Sequence, residues 1–420
     1  MDKIKKVTAR EILSLMALPT IEVEIETESG TIGRAAVDIG TSIGKYEALT
    51  LFDGGKRLFG QGNLKAVQAV NEKIAPQLIG LEITEQKTID SIMLELDGTP
   101  NKNNLGGNSL LGVSMAIAKT AAMSLRVPLH KYLCPDNKEY MIPVPIFVMI
   151  HGGVGFANQL ALEDFCIIPT GFNTFKEAIE SGIEIYYKLY DLLKDKHLVA
   201  PGITFVPQMS KTREVLDCLL KSIKLCGYQE NYTLGLDAAA TECFNANQGT
   251  YNIDQEEMDK SQTVDFYKKI IKEYPIFYLE DPFDEEDIES YQKIQHNGIQ
   301  IVGDDLIASN KQRLKMSSDL KLINSTVLKP NQIGTITELL EIAKYANQNN
   351  IDIISSIRSK STNELFLADF SIAVNAVQIK AGCVVGYPAT GIYNRFLEIE
   401  DKNKYKYQGP FLKNKYSLLT

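Results

Sequence analysis

Residues Ile21–Thr27 alternate apolar and polar positions (I-E-V-E-I-E-T), the period of a strand with one buried face. Ser29-Gly30 turns the chain into a second such run, Thr31–Val37. Beyond a glycine-rich loop the spacing lengthens to that of helices at Leu64–Leu78 and Thr84–Leu96, and Gly106–Leu125 reads as a buried helix rich in small residues. Strands followed by helices predict a compact α+β domain over residues 1–138, closed by turn residues Pro135-Asp136-Asn137. From 139 to 420 the texture changes. Short β-rich runs recur at Tyr232–Leu236, Ile276–Leu279, Ile299–Val302, Ser325–Leu328, Ile351–Ser355 and Ala376–Ile379, each followed by a turn and an amphipathic helix. That alternation predicts a closed, TIM-like α/β barrel capped by the N-terminal α+β domain.

The polar residues sharpen this picture. Almost every β-run ends on a charge: Asp237, Glu280-Asp281, Asp304-Asp305, Lys329, Arg358 and Lys380. Most lie about one βα unit apart, which brings them to the C-terminal rim of a barrel, where active sites sit. One such residue is ordinarily a helix cap; six in the order acid, acid, acid, base, base, base are not explained by capping. Three converging carboxylates repel one another unless a cation sits between them, and an all-oxygen ligand set favours Mg²⁺. The basic residues that follow suit an anionic substrate and a lysine acting as a base. The pattern therefore points to metal-assisted removal of a proton next to a carboxylate.

Composition narrows the partners. With 44 Lys and Arg against 53 Asp and Glu the formal charge is −9, and no basic block stands out, which argues against nucleic acid or an anionic membrane surface as partner. No apolar run is long enough to span a bilayer, and MDKIKKVTAREIL lacks the apolar core of a secretory signal. Six cysteines without a CxxC fit reduced thiols, so a cytoplasmic location is expected. His151, beside Gly152-Gly153 near the expected rim, is a candidate substrate contact.

These stretches resemble the enolase family along nearly the whole chain. The resemblance rests on AREIL (9–13), PTIEVEI (19–25), IMLELDGTPNK (92–102), LEDPFDEED (279–287), IVGDDL (301–306), LKPNQIGT (328–335) and QIKAG (378–382). It implies an enolase-type barrel, Mg²⁺ on Asp237, Glu280 and Asp304, and Lys329 as the base at C2 of a small phospho-carboxylate. It also implies Lys380 at the substrate carboxylate, Arg358 and Ser359 at the phosphate, Ser42 in a loop closing over a second metal, and a homodimer. Asp164 matches, in shortened form, one of two acids that serve the leaving hydroxyl.

The departures bear on function. The family's DSRGNP is here Ser14–Pro19, the histidine of SHAGN is Gly155, that of SHRSGE is Ile357, and the second acid falls at Gly202. Binding and base positions survive while the groups that help hydroxide leave are largely replaced. General acid assistance contributes about 10²–10⁴-fold, roughly 3–5 kcal/mol, so dehydration is expected to suffer more than enolisation. On the sequence, altered chemistry on a phosphorylated or phosphono-carboxylate, as in a carboxyphosphonoenolpyruvate synthase, ranks first. Ordinary enolase activity is the alternative, and a non-catalytic binding module the third reading.

Overall fold

The computed structural model describes residues 2–40, 44–156, 158–194, 204–294 and 298–416. Ser42 and Gly202 therefore lie outside the described residues. The N-terminal part opens with strands Ile4–Leu13 (β1), Pro19–Thr27 (β2) and Ile32–Ala36 (β3), an antiparallel sheet in that order. Helices Leu64–Gln68 (α1) and Ala75–Leu78 (α2) are joined by a π-helical turn, and Gln86–Asp97 (α3), Gly107–Ser124 (α4) and Leu129–Leu133 (α5) follow. Alternation in β2 buries Ile21, Val23 and Ile25 against α4, whose residues are nearly all buried. A side chain at Gly33 would collide with Thr120, so glycine there lets the sheet and α4 approach closely.

The second part begins with Met141–Ile142 (β4), Val144–Pro145 (β5), Phe147–His151 (β6) and Asp164–Ile168 (β7). Helices Phe175–Leu193 (α6) and Thr212–Leu225 (α7) lead to Thr233–Asp237 (β8). A small sheet of Phe244–Asn245 (β9), Thr250–Ile253 (β10) and Glu256–Asp259 (β11) precedes Lys260–Glu273 (α8). Then strand and helix alternate: Ile276–Glu280 (β12), Ile288–Lys293 (α9), Gln300–Gly303 (β13), Lys311–Asp319 (α10), Ser325–Leu328 (β14), Ile336–Gln348 (α11). Asp352–Ser356 (β15), Phe366–Ala373 (α12), Gln378–Lys380 (β16), Ala389–Asn403 (α13), Lys406–Tyr407 (β17) and Gly409–Lys415 (α14) complete it.

Nine of these strands form one sheet in the order β5-β16-β15-β14-β13-β12-β8-β7-β6. Residues 144–151 bond β16 at their start and β7 further on, which curls the sheet into the expected α/β barrel. One feature departs from an all-parallel barrel: β7 runs antiparallel to both β6 and β8. The strand runs read from the sequence all form, while β1 and β7 carried no period-2 signal and were not anticipated.

Candidate active site

Because β8, β12 and β13 are parallel and in register, their ends come together: Asp237 closes β8, Glu280 closes β12 opposite it, and Asp304 follows β13. Asp164 reaches the same rim from the other direction. It opens the antiparallel β7 and stands opposite Asp237 in the ladder. Lys380, the last residue of β16, extends its ammonium into this ring, 2.8 Å from Glu280 Oε2 and 3.1 Å from Asp164 Oδ2, and it also donates to Asp237. Burial works against that ammonium, but Asp237, Glu280 and Asp164 hold its pKa well above the ordinary lysine range.

The carboxylates respond unequally. Burial pushes Asp237 and Glu280 up to about 8. For Asp164 burial is outweighed by Lys380 and His151, which hold it below the usual carboxylate range. Asp304 is buried too, but its ion pair with Lys329 keeps it low. The sequence suggested a Lys329 with a lowered pKa, its neighbours being the metal and Lys380. In the structure burial pulls Lys329 down and Arg358 adds to that, yet Asp304, helped by Glu280, overrides both and the pKa is raised.

The donor set fits a hard cation. Glu280 Oε1 and Asp304 Oδ1 are buried with no hydrogen-bond partner, an arrangement costly for carboxylates without a counter-charge. Oxygens of Glu280, Asp281 and Asp304 lie within 4.8 Å of one another. Asp281 stands in the sequence as the second acid of the Glu280-Asp281 strand end, where the pattern gives it no role of its own. Its carboxylate accepts from the backbone N–H groups of Asp304 and Asp305 and from Tyr291 Oη, so it shapes the loop that presents Asp304.

Arg358 follows β15. The loop carrying it is tied to the N-terminal part by an antiparallel bridge between Ile39 and Lys360. Arg358 Nη1 bonds Glu47 Oε2 at 3.0 Å, and a side chain at Gly40 would collide with the guanidinium. Glu47, from a loop more than 300 residues away, had no sequence signal. Ser359, next to Arg358, is exposed. His151 ends β6 with Nδ1 2.5 Å from Asp164 Oδ1 and its ring stacked on Phe156. Glu163 immediately precedes β7, and burial together with Asp164 raises it to about 8. Gly155 lies in open space, where a Cβ would meet no atom within 4 Å.

Comparison with known proteins matches residues 4–133 to the enolase N-terminal domain and 139–415 to the enolase C-terminal TIM barrel domain. An enolase from Methanopyrus kandleri is 41% identical over 411 residues, covering 96% of each chain. Those of Methanocaldococcus jannaschii and Thermococcus kodakarensis are 40% identical, covering 95% and 98% of this chain. With both family domains matched and identity of this order along nearly its whole length, the chain belongs to the enolase family of lyases.

Proposed function

We propose that the protein interconverts 2-phosphoglycerate and phosphoenolpyruvate in a Mg²⁺-dependent reaction. The observation that carries this reading is the convergence of Asp237, Glu280, Asp304, Lys329 and Lys380 on one buried rim, in a chain about 40% identical to proteins named enolase. Those names favour ordinary hydration and dehydration over chemistry on a phosphono-carboxylate, the reading that ranks first on the sequence alone. Glu280 and Asp304, with Asp237, would hold the cation through carboxylate oxygens. Bound there, Mg²⁺ would supply positive charge to stabilise the second negative charge that builds on the substrate carboxylate as the C2 proton leaves.

Lys329 in its neutral form takes the proton from C2 of the substrate. Lys380 faces the charge that builds up on the carboxylate as that proton leaves. Arg358, clamped by Glu47, offers a planar pair of donors to the phosphate, with Ser359 beside it. A second reading has its own support: Gly155 and Ile357 lack the side chains that assist hydroxide departure, so proton removal could outrun elimination on a related phospho-carboxylate.

Incubating the protein with Mg²⁺ and 2-phosphoglycerate in D₂O separates the two. Ordinary enolase activity gives phosphoenolpyruvate with multiple turnovers. Deuterium at C2 with only trace phosphoenolpyruvate selects the second reading, and neither outcome with any phospho-acid refutes both.

A further inference from the structure

Dehydration requires a proton for the departing hydroxide, and the position matching the family's acid is Gly202. The same rim holds an imidazole. His151 stands opposite Asp164 in the β6–β7 ladder, with Nδ1 2.5 Å from Asp164 Oδ1. Its ring stacks on Phe156 with centroids 5.0 Å apart and planes at 18°. Its backbone is pinned on both sides: the N–H donates to Phe205 O at 2.9 Å, and the C=O accepts from Asn158 Nδ2 at 2.7 Å. Nε2, on the opposite edge of the ring from Asp164, makes no hydrogen bond among the described residues. The side chain keeps 30% of its surface open, which a purely structural histidine has no need of. Among the described residues, the charged groups around this pair include Lys380, bonded to Asp164 at 3.1 Å, Asp237, opposite Asp164 in the β7–β8 ladder, and Glu163, the residue before Asp164.

We infer that His151, oriented by Asp164, is the acid that protonates the leaving hydroxyl, an assignment that rests on the dehydration reading above. In the forward direction the C2–H bond breaks and its proton passes to Lys329. The electron pair left at C2 forms the C2=C3 bond as the C3–O bond breaks. The departing oxygen takes the Nε2 proton of His151 and leaves as water. The Asp164 carboxylate beside Nδ1 fixes the orientation of the ring throughout. His151 then regains a proton from solvent and Lys329 releases one, so nothing is oxidised or reduced. The arrangement places a histidine–carboxylate pair where the family relies on carboxylic acids.

The test follows two signals from 2-phosphoglycerate in D₂O with Mg²⁺: exchange at C2 and formation of phosphoenolpyruvate. His151→Asn and His151→Gln should lose about 10²–10⁴-fold in phosphoenolpyruvate formation while C2 exchange stays near that of the unmodified protein. In His151→Gly, added imidazole should restore part of the elimination without changing exchange. Variants that eliminate at the original rate, or that lose exchange and elimination equally, overturn the assignment alone. An unmodified protein that exchanges the C2 proton yet forms no phosphoenolpyruvate overturns the dehydration reading, and the assignment with it.

Discussion

At Lys329 two influences act on one ammonium: burial lowers its pKa, and the Asp304 carboxylate raises it more. Which one wins decides whether the group can act as a base, so Asp304 carries weight twice, as partner of Lys329 and as candidate ligand. Asp304→Ala should weaken Mg²⁺ binding by at least about tenfold in a calorimetric titration, since even groups outside the coordination sphere cost that much. Lys329→Ala should leave Mg²⁺ binding nearly intact and abolish C2 exchange, measured by NMR in D₂O. Asp38 offers a test away from the ions. Its carboxylate accepts from Thr362 N at 2.7 Å and Thr362 Oγ1 at 2.9 Å, and burial pushes it up to about 7. A raised folded-state pKa means its contribution is full below the unfolded value of about 4 and is lost as pH rises through about 7. Asp38→Asn keeps an acceptor oxygen without the charge. Its melting temperature relative to the unmodified protein should therefore rise between pH 5 and 8; a constant difference would contradict the assignment.

Among the elements, β7 repays attention because its direction decides where its first residue goes. Asp164 meets Asp237 only because β7 is antiparallel to β8. The rule that sites follow strand ends found Asp237, Glu280, Asp304, Lys329, Arg358 and Lys380, whose strands all run one way. It could not have placed Asp164, which begins a strand; only the family resemblance supplied it. Periodicity likewise revealed β2 and the long helices, each with one face buried. It missed β1, where charged residues interrupt the alternation and a bulge falls between Ile4 and Lys6. It also missed β7, buried at every position. Contacts across great sequence distance, such as Glu47 to Arg358, have no local signature. One of them makes an element-level prediction. Asp90 on α3 accepts from Thr337 N and Oγ1 at the start of α11, where a carboxylate also meets the positive end of the helix dipole. Asp90→Ala leaves those donors unsatisfied and should cost about 1–3 kcal/mol in urea unfolding.

Across the whole molecule, one apolar core runs through the N-terminal part and the barrel, and polar clasps join them as well: Arg358 with Glu47, Lys119 with Glu364, Lys102 with Glu338 at 2.8 Å, and Asp38 with Thr362. By family resemblance the protein is expected to pair with a second copy. Leu15 and Met16, both exposed, occupy the stretch where it departs from the family sequence. Light scattering should give a mass near twice that of the chain; a value of 46.8 kDa would refute the dimer. The ammonium of Lys380 among Asp164, Asp237 and Glu280 has a consequence for the order of assembly. The acidic rim brings its own counter-ion, covalently attached, so closing the barrel and loading it with metal are separate events. Chelation by EDTA should then silence the reaction while leaving the far-ultraviolet circular dichroism spectrum unchanged, and returning Mg²⁺ should restore activity without any refolding. On that expectation activity would follow the free magnesium of its surroundings, while the fold outlasts every cycle.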